Sequence, residues 1–369
     1  MKIVLIGGQE VPGIGGVESY MMNLAKEMHA QGHSATIICS GRTACNTAID
    51  NVRIIHKVCP KSNIIALPLL FFKSIGYVVK NRKNIDAVNY QSIFLAFIPG
   101  WIGSLMGCKV CYTIHSLAED SPKHGAFMKL LMKVVAFISI WLCGSNIITI
   151  SKSKAKEIKA RYGKRCTVIP CGITTNKNCK DTDILSKLGI EKDSYYLTIG
   201  RIDPVKNLDT LIKAFIKHNS NNNQLVIAGN YENEYGNHLK EIAKGNKNII
   251  FPGIVMGDDK ETLLRNCFAN CLVSSSEGMP ISLLEAMIYA KSCIVTDIPA
   301  VREIMEEQWG YWCVAGDVDT LCDQMDRLEK ECLATKEKGE QMKESVINNN
   351  LWDKVAKKFV DYLSEIGVK

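Results

Sequence analysis

Short runs of β-branched and aromatic residues alternate along the chain with stretches whose apolar positions recur at helical spacing. The strand-like runs are "KIVLIG", "SATIICS", "VRIIHKV", "DAVNYQ", "KVCYTIHS", "NIITIS" and "CTVIP", then, after residue 190, "YYLTIG", "QLVIAG", "NIIFPG", "CLVSSS" and "SCIVTD". Helical spacing predicts helices over 17–30, 152–162, 206–217 and 281–290. Strands that alternate with helices predict parallel sheets covered on both faces. The stretch "CGITTNKNCKDTDILSKLGIEKDS" is polar and turn-rich, reads as a linker and splits the pattern into two doubly wound series. Such sheets bind ligands beyond the carboxyl ends of their strands, here in a cleft between the halves. At the end, Trp352, Val355, Phe359, Val360 and Leu363 share one face of an amphipathic closing helix.

Composition narrows the class. A length of 369 residues exceeds what one hydrophobic core commonly serves. With 47% apolar and 22% charged residues the balance is that of a globular protein rather than a disordered one. "MKIVLIGG" is too short in its apolar run for a signal peptide and reads as a buried first strand. No uncharged apolar stretch reaches the roughly 20 residues of a spanning helix. The 15 cysteines are scattered, mostly in apolar segments, and read as reduced core residues. Cys108 and Cys111 form a CxxC, but on a strand their side chains face opposite ways, and no second pair completes a zinc site.

The net charge of +7 conceals an asymmetry. Residues 1–185 carry 23 Lys and Arg against 10 Asp and Glu, whereas 186–369 carry 22 against 28. A basic first half calls for an anionic partner. No nucleic-acid-binding signature accompanies it, so an anionic membrane surface is the expected partner rather than nucleic acid. "NIIALPLLFFKSIGYVVKNRK" and "FMKLLMKVVAFISIWLCG" mix long apolar runs with lysines, and Lys129 and Lys133 share one helix face. Two readings stand: a buried core helix, or one lying in the membrane interface with its lysines towards headgroups. "SKSKAKEIKARYGKR" is either a further basic contact or a solvated helix.

Chemistry concentrates in three places. "IGGQEVPGIGGVESY" follows the first strand and opens a helix, but its spacing is not GxGxxG and no acidic residue ends the second strand, which disfavours a dehydrogenase. Gly15 and Gly16 either present backbone N–H groups to phosphate or sugar oxygens or make a tight turn. Arg201 and Lys206 follow the strand "YYLTIG", where two cations suit a diphosphate. In "SSSEGMPISLLEAM", Glu277 lies in a loop and Glu285 in the helix after it. Ser282-x-x-Glu285 fits a capping box, an arrangement that leaves Glu277 unexplained; a carboxylate there suits a ligand rich in hydroxyls.

With "GIGGVESYMMNLA", "TIHS", "GRIDPVKNLDTLIKAF" and "SEGMPISLLEAM" in place, the chain resembles the retaining glycosyltransferases of the GT-B fold, family 4, of the bacterial surface-polysaccharide type. The resemblance implies two Rossmann-like domains facing a cleft: an acceptor-side domain over 1–185, a nucleotide-sugar domain over 186–350, and a C-terminal helix over 351–369 packing back towards the first. It implies that Arg201 and Lys206 neutralise the donor diphosphate and that Glu277 binds hydroxyls of the transferred sugar. Gly278, Met279, Pro280, Ile281 and Ser282 would assist through their backbone. Glu285 would bind the ribose, Gly253, Ile254 and Val255 would pass the base, Gly15 and Gly16 would approach the donor, and His115 would lie near the reacting carbon. Ser116 stands where the family often has Asp, and "IAGNYENEY" where it often has Gly-Asp-Gly.

No cofactor or metal is expected, since Asp181-x-Asp183 falls in the linker and Asp317-x-Asp319 at a helix start. The partners implied are a nucleotide sugar, UDP-linked with GDP-mannose as runner-up, and a glycan or lipid-linked glycan acceptor at the cytoplasmic face of the cell membrane. A nucleotide-sugar epimerase of the same architecture is the alternative.

Overall fold

The computed structural model describes residues 1–13, 15–60, 63–115, 126–175, 180–219, 223–331 and 334–368. The chain divides into two compact units, Met1–Gly172 with Trp352–Lys369, and Ile173–Leu351. In the first, strands β1 (Lys2–Gln9), β2 (Ser34–Gly41), β3 (Cys45–Ile49), β4 (Val52–Val58), β5 (Ala87–Tyr90), β6 (Lys109–Ile114), β7 (Ile147–Thr149) and β8 (Thr167–Val168) form one sheet. Helices α1 (Gly16–Ala30), α2 (Asn63–Asn81), α3 (Phe97–Leu105), α4 (Ala126–Leu142) and α5 (Lys152–Tyr162) connect them. The strand order is β3-β4-β2-β1-β5-β6-β7-β8, parallel throughout except for β3, which returns antiparallel along β4. Order therefore reverses between β1 and β5, the switch point of a doubly wound sheet.

The second unit contains α6 (Ile184–Leu188), β9 (Tyr195–Ile199), α7 (Leu208–His218), β10 (Gln224–Ala228), α8 (Glu234–Ile242), β11 (Ile249–Gly253), α9 (Gly257–Asn266) and β12 (Ala269–Leu272). It continues with α10 (Ile281–Met287), β13 (Ser292–Thr296), α11 (Pro299–Arg302), β14 (Tyr311–Cys313), α12 (Val318–Lys330) and α13 (Ala334–Asn349). Its sheet, β11-β10-β9-β12-β13-β14, is wholly parallel and reverses order between β9 and β12. Alternate residues of one strand feed two cores. Tyr195, Leu197 and Val226 pack into one; Tyr196, Leu225 and Ile227 pack into the other. Helices cover both faces, which is why these runs are apolar on both sides of the strand rather than on alternate positions.

Each strand-like run named above forms a strand, and the helices begin within two residues of the expected positions. Two short strands lie outside the pattern. β3 is exposed along its length and so lacks an apolar alternation, and β14 spans three residues. The stretch read as a linker is not a free connection. Ile173 bridges to Leu351, and Ile173, Ile184 and Ile190 are buried in the second unit's core, so residues 173–185 group with that unit rather than the first. The closing helix α14 (Trp352–Glu365) buries Trp352, Val355, Phe359 and Leu363, with Val360 half-buried, and lies against α1. The Trp352 ring meets Tyr20 of α1 edge-on at 5.4 Å between centroids.

The thirteen cysteines among the described residues are free thiols. Cys108 and Cys111 have separate partners: the Cys108 thiol donates to the Ile85 carbonyl, and Cys111 Sγ accepts from Asn89. In α4, Met132, Ala136 and Ile140 are buried at four-residue spacing, while Phe127 is 80%, Leu130 62% and Trp141 50% exposed. It is thus a core helix on one stripe and an uncovered apolar one on the rest. No helix among the described residues is long and apolar enough to cross a membrane.

Candidate active site

All strands of the second sheet run parallel, so the loops after β9, β10, β11 and β12 leave one edge of it. After β9 the chain passes Gly200 and Arg201 to Asp203, whose carboxylate accepts from the Val205 N–H and caps a 3-10 turn, Pro204–Lys206. Two bonds tie this loop to the end of β12. Asn207 Nδ2 donates to the Val273 carbonyl at 3.0 Å, and the Ser275 N–H donates to the Val205 carbonyl at 2.8 Å. Gly200, Arg201, Lys206, Ala228, Ser274 and Ser282 line a narrow crevice at this switch point.

Lys206 and Glu277 meet there. Lys206 Nζ lies 2.6 Å from Glu277 Oε1, and Ser274 Oγ donates to the same oxygen at 2.6 Å. Ser274 is itself buried, its carbonyl accepting from Thr296 Oγ1 at 2.6 Å. Both bonds fall on Oε1, so Glu277 Oε2 retains its acceptor capacity among the described residues. Arg201 is different: its side chain is 75% exposed, with only a 3.6 Å approach of Nε to Asp203. An exposed pair of that length adds little to stability, which leaves the guanidinium available to a ligand.

The capping box does not form. α10 starts at Ile281 with Pro280 as its N-cap and no side-chain cap, which places Ser282 inside the helix. Glu285 instead lies 2.6 Å from Lys260 Nζ of α9. Burial pushes its carboxyl upward, and the Lys260 charge pulls the other way. Of the stretch 278–282, Pro280 has no N–H to offer, and the Ile281 N–H is bonded to the Met279 carbonyl. Gly253, in the left-handed region at φ 83°, ends β11; Ile254 after it is exposed, and Val255 packs on the same core as Met279 and Ile281. In "IAGNYENEY", Asn233 caps α8, and its Nδ2 donates to the Ile202 carbonyl at 3.2 Å, so this departure still yields a tied loop.

In the first unit, Gly15 is the N-cap of α1 and Gly16 its first residue. The end of the preceding strand is already met by an anion. Glu18, in the first turn, accepts the Gln9 N–H at 2.6 Å, and a Cβ on Gly15 would fall 1.9 Å from its Oε2. Gly15 therefore makes room for that carboxylate. His115 follows β6, its Nε2 2.8 Å from Gln91 Oε1 and its ring edge-on to Tyr20 at 4.9 Å. Burial lowers its pKa to about 4. Ser116 lies outside the described residues.

The aspartate pairs have protein partners. Asp317 caps α12, Asp319 pairs with Lys217, Asp181 with Arg265 and Asp183 with Lys187. The one cluster of metal-ligating types among the described residues, His218, Cys322 and Asp326, lies on α7 and α12, away from the loops above. Both imidazole nitrogens of His218 already face carboxylates, those of Asp326 and Glu329.

Sequence reading missed Lys260, Ser274, Gln91 and Glu18. Glu18 had a signal, an acid three residues after the N-cap glycine; Lys260 had none, being paired only through tertiary structure.

Two doubly wound units, with the closing helix grouped with the first, constitute the GT-B fold of glycosyltransferases. The Anabaena protein HepE, solved with UDP and glucose, superposes with a TM-score of 0.76 at 17% identity, over 99% of this chain and 100% of that one. The family description "Glycosyltransferase Family 4" matches residues 14–177, and "Glycosyl transferases group 1" matches 180–348. The chain belongs to this family and is a glycosyltransferase. It is 23% identical over 342 residues to an alpha-monoglucosyldiacylglycerol synthase of Streptococcus pneumoniae, covering 84% of this chain and 74% of that protein. It is 27% identical over 269 residues to UDP-Gal:alpha-D-GlcNAc-diphosphoundecaprenol alpha-1,3-galactosyltransferase of Escherichia coli, covering 68% of each. These relatives are named for transfer and synthesis, and the epimerase alternative finds no support in them.

The depressed His115 pKa carries a stability signature. The unfolded imidazole takes up a proton near its ordinary 6.5, whereas the folded one resists until about 4. Between those values the unfolded chain binds more protons, so this contribution is present above pH 6.5 and lost as pH falls towards 4. Urea unfolding across this window should show wild type losing stability relative to His115→Gln. Parallel pH profiles would contradict a neutral imidazole held by desolvation.

Proposed function

We propose that the chain transfers a hexose, with retention and without a metal, from a UDP-linked donor to a hydroxyl of a lipid-linked glycan or glycolipid. The observation that carries the reading is the Lys206–Glu277–Ser274 group at the switch point of the second sheet. Arg201 and Lys206 hold the diphosphate, Glu277 Oε2 takes the sugar hydroxyls, and Glu285 takes the ribose hydroxyls. The backbone of Gly278 to Ser282 lies along the sugar, and Gly253, Ile254 and Val255 pass the base. Gly15, Gly16 and His115 serve the transferred sugar and acceptor. The acceptor oxygen bonds to the anomeric carbon as the carbon–oxygen bond to the diphosphate breaks. The electron pair remains on the phosphate, where the two cations stabilise it, and the hydroxyl proton passes to a phosphate oxygen.

The names of the two relatives support a lipid-borne acceptor, and the Escherichia coli one a UDP-linked donor. The first unit adds a physical reason. The exposed residues Phe127, Leu130, Val134, Phe137 and Trp141 of α4 and Leu105 of α3 are apolar, and Trp101 donates through Nε1 to the Leu142 carbonyl, holding the two helices together. Lys133 lies among them, and Lys164 sits over the Trp141 ring at 4.7 Å. Exposed aromatics rimmed by lysines suit the headgroup region of an anionic bilayer. The reading makes the protein peripheral at the cytoplasmic face.

Glu277→Ala should lower transfer by about a hundredfold or more; the variant should still fold, with a melting temperature lowered by the Lys206 ammonium left without its partner. Near-normal turnover would overturn the assignment, and loss of wild-type activity in EDTA would overturn metal independence. In sedimentation with phosphatidylglycerol vesicles at low salt, the protein should pellet, and Leu130→Glu with Phe137→Glu should release it. A wild-type protein that stays in the supernatant would end the membrane reading.

A further inference from the structure

Polar side chains are buried in the first sheet where an apolar core would serve packing better. Asn89 of β5 and Thr113 of β6 are wholly buried, and Gln91, just past β5, is nearly so. They form a connected chain leading to His115. Asn89 Nδ2 donates to Thr113 Oγ1 at 3.0 Å and to Cys111 Sγ at 3.2 Å. Asn89 Oδ1 accepts from Gln91 Nε2 and, at 3.2 Å, from Thr113 Oγ1. Gln91 has spent its amide hydrogens' direction on Asn89, so its Oε1 faces His115 Nε2 at 2.8 Å and can only accept. The Gln91 N–H is anchored to the Ile6 carbonyl at 2.9 Å. Gly7 permits this packing, because a Cβ there would fall 2.5 Å from Gln91 Cβ.

We propose that Asn89 and Gln91 are positioning residues that lock His115 as the imidazole protonated on Nε2, so that Nδ1 accepts a hydrogen bond from a ligand hydroxyl. This rests on the reading of His115 as a residue of the transfer site. A buried network is costly when half satisfied, and with the amides oriented as above Asn89 and Gln91 each find partners, which turns Gln91 Oε1 towards His115. Tyr20 lies edge-on to the imidazole at 4.9 Å between centroids, and the Trp352 ring packs in turn on Tyr20. The low pKa agrees with a neutral ring. The tautomer then sets what His115 recognises: a donor such as a hydroxyl, and not a carbonyl or carboxylate.

The test is 15N NMR of histidine-labelled protein together with kinetics. Wild type should show His115 with a protonated Nε2 and an unprotonated Nδ1. Gln91→Leu should shift that tautomer balance and lower kcat about tenfold, the worth of one hydrogen bond, with donor KM little changed. Gln91→Glu should restore the Nε2–H tautomer and move the acidic limb of the pH profile upward. If the hydroxyl belongs to the sugar, Gln91→Leu also slows hydrolysis of the UDP-sugar in the absence of acceptor; if it belongs to the acceptor, only transfer slows. An Nδ1–H tautomer in wild type, or one unmoved in Gln91→Leu, would overturn the lock. The expected spectra with full activity in both His115→Gln and Gln91→Leu would instead overturn the role of His115 in transfer.

Discussion

The candidate site depends on one ion pair, Lys206 with Glu277, made by loops that leave the two strands between which strand order reverses. Side chains with 21% and 12% exposure are largely out of water, where a lone charge of either sign is costly. Each therefore needs the other in the ligand-free protein. That need explains the surrounding bonds: Asn207 to Val273, Ser275 to Val205, and Thr296 behind Ser274. They set the spacing of two loops so that ammonium and carboxylate meet. A diphosphate beside Lys206 and hydroxyls on Glu277 Oε2 would add partners to both charges without moving the loops.

The two sheets share this logic with different chemistry. Parallel strands buried on both faces can be apolar along their length, so polar groups collect where the strands end. In the second unit the ends of β9 and β12 carry charges that compensate one another. In the first, the ends of β5 and β6 carry neutral amides, a hydroxyl and an imidazole in a hydrogen-bonded chain, and the Glu18 carboxylate is used to hold the glycine loop. A charged group in that setting would be far more costly to bury than a neutral one.

How much of this could be read from residue order follows the range of each interaction. The strands from "KIVLIG" to "SCIVTD" were legible because burial on both faces leaves an uninterrupted apolar run. β3 was not, since an exposed edge strand needs no such run. The polar composition of 172–192 hid three isoleucines that the second unit buries. Arg201, Lys206 and Glu277 were visible as polar residues just past apolar strands. Ser282 and Glu285 matched a local pattern, and the local reading failed because Lys260, twenty-five positions away in the chain, supplies the carboxylate's partner. Gln91 had no signal at all: its role comes from lying between Asn89 and a histidine just past the neighbouring strand.

The most direct measurement of the central claim is the melting temperature of the protein as UDP is titrated, in wild type and in Lys206→Met. The account predicts that UDP at a hundred times its dissociation constant stabilises wild type by about 2.7 kcal/mol and that the variant responds weakly or not at all. A wild type indifferent to UDP, or a variant that gains as much as wild type, would contradict it.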